Sequence, residues 1–110
     1  MQSLLASAAS PPSAIFCHSD PLAFGVLSVL RQSGLRCPQD VAVAAFDDHP
    51  MSRFWGLTTV SQHAHEQGVR AAEALVSTMH GVPDHPLAQG APDGHDLTVQ
   101  LVVRESTRGQ

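Results

Sequence analysis

Two polar side chains that could hold a small hydroxylated molecule follow two short apolar runs of the chain. Ser19 comes directly after residues 14–18, and Asp47 comes directly after residues 41–46. A carboxylate accepts hydrogen bonds from two neighbouring hydroxyl groups, which is what a sugar or another polyol offers, and each charge-assisted bond contributes roughly 1.5–3 kcal/mol. The pattern predicts a polar ligand site; the alternative is that Asp47 and Asp48 only form an Asx turn after the second run.

Two further aspartates occupy positions where turns are expected. Asp20 lies beside Ser19 and is included among the candidate ligands, but it also precedes Pro21 at the start of a predicted helix, where N-capping is a usual role of aspartate. Asp40 follows a proline-containing turn and precedes an apolar run, which favours a turn role.

The histidines could serve a different chemistry, as ligands of a metal ion in a hydrolase. The chain has seven of them, but His63 and His65 are two positions apart at a predicted helix start and do not share a helical face. The sequence contains no Cys-x-x-Cys, His-Glu-x-x-His or Gly-x-Ser-x-Gly pattern, and no glycine-rich phosphate loop. We therefore predict no catalytic residue, metal or cofactor. A metal-dependent enzyme remains an alternative, and it would be supported if the protein bound stoichiometric zinc and lost that zinc in His63→Ala.

The two apolar runs predict buried parallel strands joined by a helix. Each run is almost continuously apolar and is bounded by turn residues, as is typical of a strand buried on both faces. The segment between them ends at Gly34 and places on one face Leu22, Val26, Val29, Leu30 and Ser33. Ligands bind beyond the carboxyl ends of the strands in such sheets, so Ser19 and Asp47 are expected at the ligand edge of an α/β domain.

The rest of the chain alternates helices, strands and loops. In chain order we predict a helix at 2–9, an irregular segment at 47–57, a short strand at 57–60, a helix at about 63–80, a loop at 82–95 and a strand at 97–103. The apolar face of the helix at 63–80 consists of Val69, Ala72, Val76 and Met79.

Three aromatic residues, Phe24, Phe54 and Trp55, have two interpretations. They could be buried in the core, or they could lie in a subunit interface, since aromatic residues are enriched at interface centres. The sequence pattern leaves both open.

Composition and charge exclude several partners. The chain has 110 residues, which suits one domain, and 43% of them are hydrophobic. The formal net charge is -4 and there is no lysine, and this charge is unfavourable for binding phosphate backbones or an anionic membrane surface. No apolar run is long enough to span a bilayer. Cys17 and Cys37 form no disulfide pattern and fit free thiols, so we expect a cytoplasmic protein.

The chain resembles the C-terminal part of lactose-repressor-type (LacI/GalR) transcription regulators. The resemblance covers residues 13–107 and is carried, in the family's order and near its spacing, by residues 14–25, 33–41, 46–48, 57–62 and 101–107. The family's effector domain is similar to periplasmic sugar-binding proteins of type I, in which two α/β lobes hold a ligand in the cleft between them. The resemblance implies that this chain forms part of the C-terminal lobe, with a partial doubly wound parallel sheet.

The resemblance implies roles for particular residues. Ser19 and Asp47 would line the cleft, and Gln62 matches a glutamine near the crossover between the lobes. Phe24 and the loop at 51–56, with Met51, Phe54 and Trp55, fall where the family's subunits form a homodimer.

Three positions depart from the family pattern. Ser19 stands where the family usually has asparagine, Ala45 where it has glycine, and Gly56 where proline is common. Serine has fewer hydrogen-bonding groups than asparagine, which leaves the effector's identity open.

The resemblance also implies a piece of a longer regulator. The DNA-binding helix-turn-helix is missing from these residues, so operator DNA would be bound only through another domain, and the helix at 63–80 would pack on a lobe that this segment lacks. The expected function is effector-controlled transcription, and the alternative is a periplasmic-type sugar-binding protein of a transport system. As a free polypeptide, such a segment should be marginally stable, associate, or expose that helix face.

Overall fold

The computed structural model describes residues 12–81 and 98–109. They form four strands and two helices: β1 (Ala14–Phe16), α1 (Asp20–Gln32), β2 (Ala42–Phe46), β3 (Thr58–Ser61), α2 (Ala64–Met79) and β4 (Gln100–Val102). The described residues divide into two units, 12–61 with 100–109, and 62–81 with 98–99. The helix predicted at 2–9 and the loop at 82–95 lie outside the described residues.

The predicted strand-helix-strand unit is confirmed. β1 and β2 are parallel neighbours, with Phe16 opposite Ala44. β1 ends at Phe16 rather than at His18, although the Cys17 N–H still donates to the Ala44 carbonyl at 2.9 Å. Pro21 occupies the first turn of α1, where its missing N–H and fixed φ suit a helix start.

The core lies between α1 and one face of the sheet, and the predicted core face of α1 is partly right, since Leu30 is buried and Val26 packs against the core. Leu22 is 50% exposed, whereas Ala23 and Leu30 are completely or almost completely buried. Asp20 is buried too, and positions 20, 23, 27 and 30 follow the three-and-four spacing of one helical face. The buried face of α1 therefore includes a carboxylate. A prediction from hydrophobic residues alone places Asp20 on the solvent side and so turns the helix incorrectly.

The sheet has the order β1-β2-β3-β4 and is mixed rather than wholly parallel. β3 runs parallel to β2, and β4 runs antiparallel to β3. The strand predicted at 97–103 is present in its central part, Gln100–Val102. The observed architecture confirms an α/β fold.

The C-terminal residues fasten β2 to β3. The buried Ser106 hydroxyl donates to the Val43 carbonyl at 2.6 Å and accepts from the Thr58 N–H at 2.8 Å. The Ser106 N–H donates to the carbonyl of Gly56, whose φ of +58° lies in the left-handed region that favours glycine.

α2 forms the main part of the second unit and carries an exposed apolar stripe. It begins one residue after His63, which adopts a left-handed φ of 53°, and none of its residues is buried in the described part of the chain. The exposed apolar side chains are Val69, Leu75, Val76 and Met79. Neither described helix has the length and apolar character that crossing a bilayer requires.

Candidate functional site

Ser19 and Asp47 emerge at the same edge of the sheet. Phe16 and Ala44 are register partners in neighbouring parallel strands, and the two candidate ligands each lie three residues beyond them. A direct hydrogen bond joins the two segments, because the His49 N–H donates to the Asp20 carboxylate at 2.7 Å. The edge is where a parallel sheet binds its ligands.

Ser19 is the N-cap of α1 but does not cap it with its side chain. Its backbone is extended, with φ of -149° and ψ of 152°, and its hydroxyl makes no capping hydrogen bond within the described residues. The side chain is half-buried. Ser19 therefore places at this edge of the sheet a hydroxyl that does not cap the helix.

The turn after β2 has an uncommon backbone. Asp47 has φ of 117° and Asp48 has φ of 52°, two consecutive residues in a region that side-chain-bearing residues rarely occupy. The Asp47 N–H donates to the Val60 carbonyl at 2.9 Å, and the Asp48 N–H donates to the Thr59 hydroxyl at 3.2 Å. Such strained conformations cluster at ligand-binding edges and need support from surrounding contacts.

The capping role expected for Asp20 is wrong, because Ser19 is the N-cap of α1. Asp20 is the first residue of α1, and it is completely buried. Besides the His49 N–H, its carboxylate accepts the hydroxyl groups of Ser52 and Thr59, each at 2.5 Å. Sequence reasoning missed this network because its members are spread over 39 positions.

Arg104 is a second residue that supports the turn and that sequence reasoning overlooked. Its guanidinium donates to the Asp48 carboxylate and to the Leu57 carbonyl, both at 2.8 Å. The ion pair is largely shielded, with side-chain exposures of 19% for Arg104 and 27% for Asp48. The only signal in the sequence was the closing motif of the family resemblance.

The segment between β2 and β3 carries an aromatic surface. Phe24 of α1 is half-buried, stacks on Trp55 with ring centroids 5.5 Å apart, and meets His49 edge-on at 5.8 Å. Met51, Phe54 and Trp55 are 45%, 69% and 39% exposed. The core interpretation is therefore wrong for Phe54.

Three further residues singled out in the sequence are Gln62, Cys17 and Cys37. Gln62 begins the second unit, where its carbonyl accepts a hydrogen bond from Gln67. Cys17 and Cys37 are free thiols, and burial raises the pKa of both. Within residues 12–81 and 98–109, no group of three or more His, Cys, Asp or Glu side chains could hold a metal ion.

Comparison with known proteins identifies the family. The family described as periplasmic binding protein-like domain matches residues 1–107. The chain belongs to this family. The HTH-type transcriptional repressor CytR of Escherichia coli strain K12 is 37% identical over 111 residues, which cover 98% of this chain and 30% of the repressor. The chain thus spans about a third of the length of the curated relatives it matches.

Solved structures of family members give the same result. The transcription regulator GntR from Chromobacterium violaceum has a TM-score of 0.80 at 34% identity, over 96% of this chain and 37% of that one. A LacI family transcriptional regulator from Arthrobacter sp. FB24, in complex with lactose, has a TM-score of 0.71 at 31% identity, over 96% and 38%. The resemblance to lactose-repressor-type regulators is confirmed, and these relatives are regulators of transcription rather than enzymes.

Proposed function

We propose that this chain supplies one side of an effector cleft in a transcription regulator of the lactose-repressor type. Ser19 and Asp47 would hydrogen-bond a small hydroxylated metabolite, probed first with free sugars. The observation that carries the proposal is the register of β1 and β2, which brings both acceptors to one edge. The lactose complex of the Arthrobacter regulator supports a sugar as the effector class.

A regulator is favoured over the transport alternative by the character of the relatives. CytR and PurR, which match this chain at 37% and 33% identity, are both described as transcriptional repressors. Effector binding would shift the population of two lobe arrangements and so change operator affinity. The proposal places this protein in the cytoplasm, with operator DNA contacted by another domain and no catalytic role for this chain.

The apolar stripe of α2 supports a place in a larger effector domain. Four apolar side chains exposed at 43% to 77% are normally buried in a stable globular protein, since burying such a stripe is what stabilises a helix of this length. We assign this stripe to packing on the other lobe, with Gln62 near the crossover as an additional effector contact.

The aromatic surface supports a homodimer. Aromatic residues and methionine are enriched in interface cores, and Met51, Phe54 and Trp55 lie close together in sequence on one exposed segment beside Phe24. We assign these four residues to the contact between two subunits.

The effector assignment is tested in a regulator that carries this segment together with a complete two-lobed domain and a DNA-binding domain. Asp47→Ala should abolish the response of operator binding to the sugar that the parent responds to, while affinity for the operator without sugar stays unchanged. Asp40→Ala is the matched control, because Asp40 forms its turn with Arg36 at the entry of β2. An undiminished response in Asp47→Ala would reject the assignment.

A further inference from the structure

The turn at 47–49 is held by side chains from three other parts of the unit. Thr59 of β3 accepts the Asp48 N–H, Asp20 of α1 accepts the His49 N–H, and Arg104 binds the Asp48 carboxylate. Each of these contacts fixes a different group of the same short segment. Together they hold a backbone that would otherwise leave the left-handed region.

Asp20 is central to this arrangement because its two oxygens bind different segments. Oδ1 accepts the Thr59 hydroxyl, and that hydroxyl oxygen also accepts the Asp48 N–H. Oδ2 accepts both the His49 N–H and the Ser52 hydroxyl. The carboxylate is thus bonded directly to His49 and, through Thr59, to Asp48.

The chemistry of the carboxylate suits this task better than an apolar side chain would. A completely buried carboxylate must be compensated by hydrogen bonds, and Asp20 has such bonds on both oxygens. It also lies in the first turn of α1, where the helix dipole favours a negative charge. The bonds are directional, so they define the position of each donor as well as its proximity.

From these contacts we propose that Asp20 is a positioning residue for the ligand edge, and that it acts through Thr59 and the His49 N–H. It holds Asp47 in its orientation at the carboxyl edge without itself contacting the effector. Through Ser52, the same carboxylate anchors the segment that carries the aromatic surface, so that the ligand edge and this surface share one buried anchor. The effector role of Asp47 in this statement rests on the proposed function; the positioning of the turn does not.

Amide hydrogen exchange of the full 110-residue chain, measured by NMR without any ligand, tests the positioning role. In Asp20→Asn one acceptor oxygen is replaced by an amide donor, and in Thr59→Val the hydroxyl is lost with little change of volume. Exchange of the Asp48 and His49 amides should rise by about tenfold or more in Asp20→Asn, and that of Asp48 should rise similarly in Thr59→Val. The Cys17 amide, which donates to Ala44, should keep its protection in both.

Thr59→Ser is the matched control, since it retains the hydroxyl and should leave the Asp48 amide protected. An equal rise at Asp48, His49 and Cys17 in both variants, including complete unfolding, would show a purely global stabilising role and overturn the proposal. Unchanged exchange at Asp48 and His49 would overturn it as well. This exchange experiment contains no ligand. If the separate sugar-binding experiments fail, that result therefore counts against the proposed function and not against the positioning role of Asp20.

Discussion

Single carboxylates in this chain do different work according to their surroundings. Asp47 follows β2 at the carboxyl edge of the sheet, Asp20 is buried at the start of α1, and Asp40 closes a turn just before β2. In that turn, the Arg36 backbone N–H and guanidinium both donate to the Asp40 carboxylate, at 2.7 and 3.0 Å. The hydrogen bonds from the Arg36 side chain and backbone lower the pKa of Asp40 to about 2.

This pKa predicts a pH dependence with a definite sign. Asp40 has a lower pKa in the folded state than its ordinary value of 3.8, so its stabilising contribution is complete above that value and is lost as the pH falls towards about 2. The effect should be small, since the group is exposed to solvent. Carbon NMR titration should give a pKa near 2 for Asp40 and a higher pKa in Arg36→Gln, where the backbone N–H still donates but the guanidinium is lost; equal values in both proteins would refute the assignment.

Residue types predicted that Ser19 and Asp47 share one edge of the sheet, but not which residues support the turn there. Ser19 and Asp47 could be found because each follows a short apolar run, and register then places them together. Asp20 and Arg104 could not, because their roles depend on partners dozens of positions away and on which side of α1 faces the core. The left-handed backbone at Asp47 also has no sequence signal, since aspartate adopts ordinary turns as readily.

Elements follow the sequence pattern where one face is clearly apolar. α1, β2, β3 and α2 begin and end within one or two residues of their predicted limits. The direction of β4 could not be predicted, because an alternating pattern does not distinguish parallel from antiparallel pairing. The bridging role of Ser106 between two strands could not be predicted either, because its partners lie far away in the sequence.

The bridge made by Ser106 predicts a large stability effect for a small substitution. Ser106→Ala removes the acceptor of the Thr58 N–H and the donor to the Val43 carbonyl, both in the buried interior. Each unpaired group costs about 1–3 kcal/mol, so the free energy of unfolding should fall by about 2–3 kcal/mol in chemical denaturation. The exposed Ser33→Ala should change it by less than about 0.5 kcal/mol. Similar values for the two variants would contradict the bridging role.

The exposed stripe of α2 gives a second prediction for an element. A helix whose apolar side chains remain in water is only marginally stable, whereas α1 buries Ala23 and Leu30. Amide exchange across Ala64–Met79 of the 110-residue chain should therefore be faster than across Asp20–Gln32 by about tenfold or more. Equal protection of both helices in a monomer would show that α2 needs no further lobe.

Self-association of the whole molecule should depend on the aromatic surface. Phe54 and Phe16 are similarly exposed, at 69% and 66%, but Phe16 belongs to β1 and not to the segment with Met51 and Trp55. Sedimentation equilibrium should show weaker association for Phe54→Asp than for the parent, because a charge in an interface core is costly. Phe16→Asp should associate like the parent; equal weakening by both would remove the dimer assignment from this surface.

The central claim is that Ser19 and Asp47 bind a hydroxylated effector at one edge of the sheet. The most direct measurement is calorimetric titration of the two-lobed protein with a panel of free sugars that includes lactose, for the parent, Asp47→Ala and Asp40→Ala. We predict that the sugar bound by the parent binds Asp47→Ala about tenfold or more weakly, through loss of charge-assisted hydrogen bonds, and binds Asp40→Ala with parent affinity. Parent affinity in Asp47→Ala, or no binding of any sugar by the parent, would contradict the account.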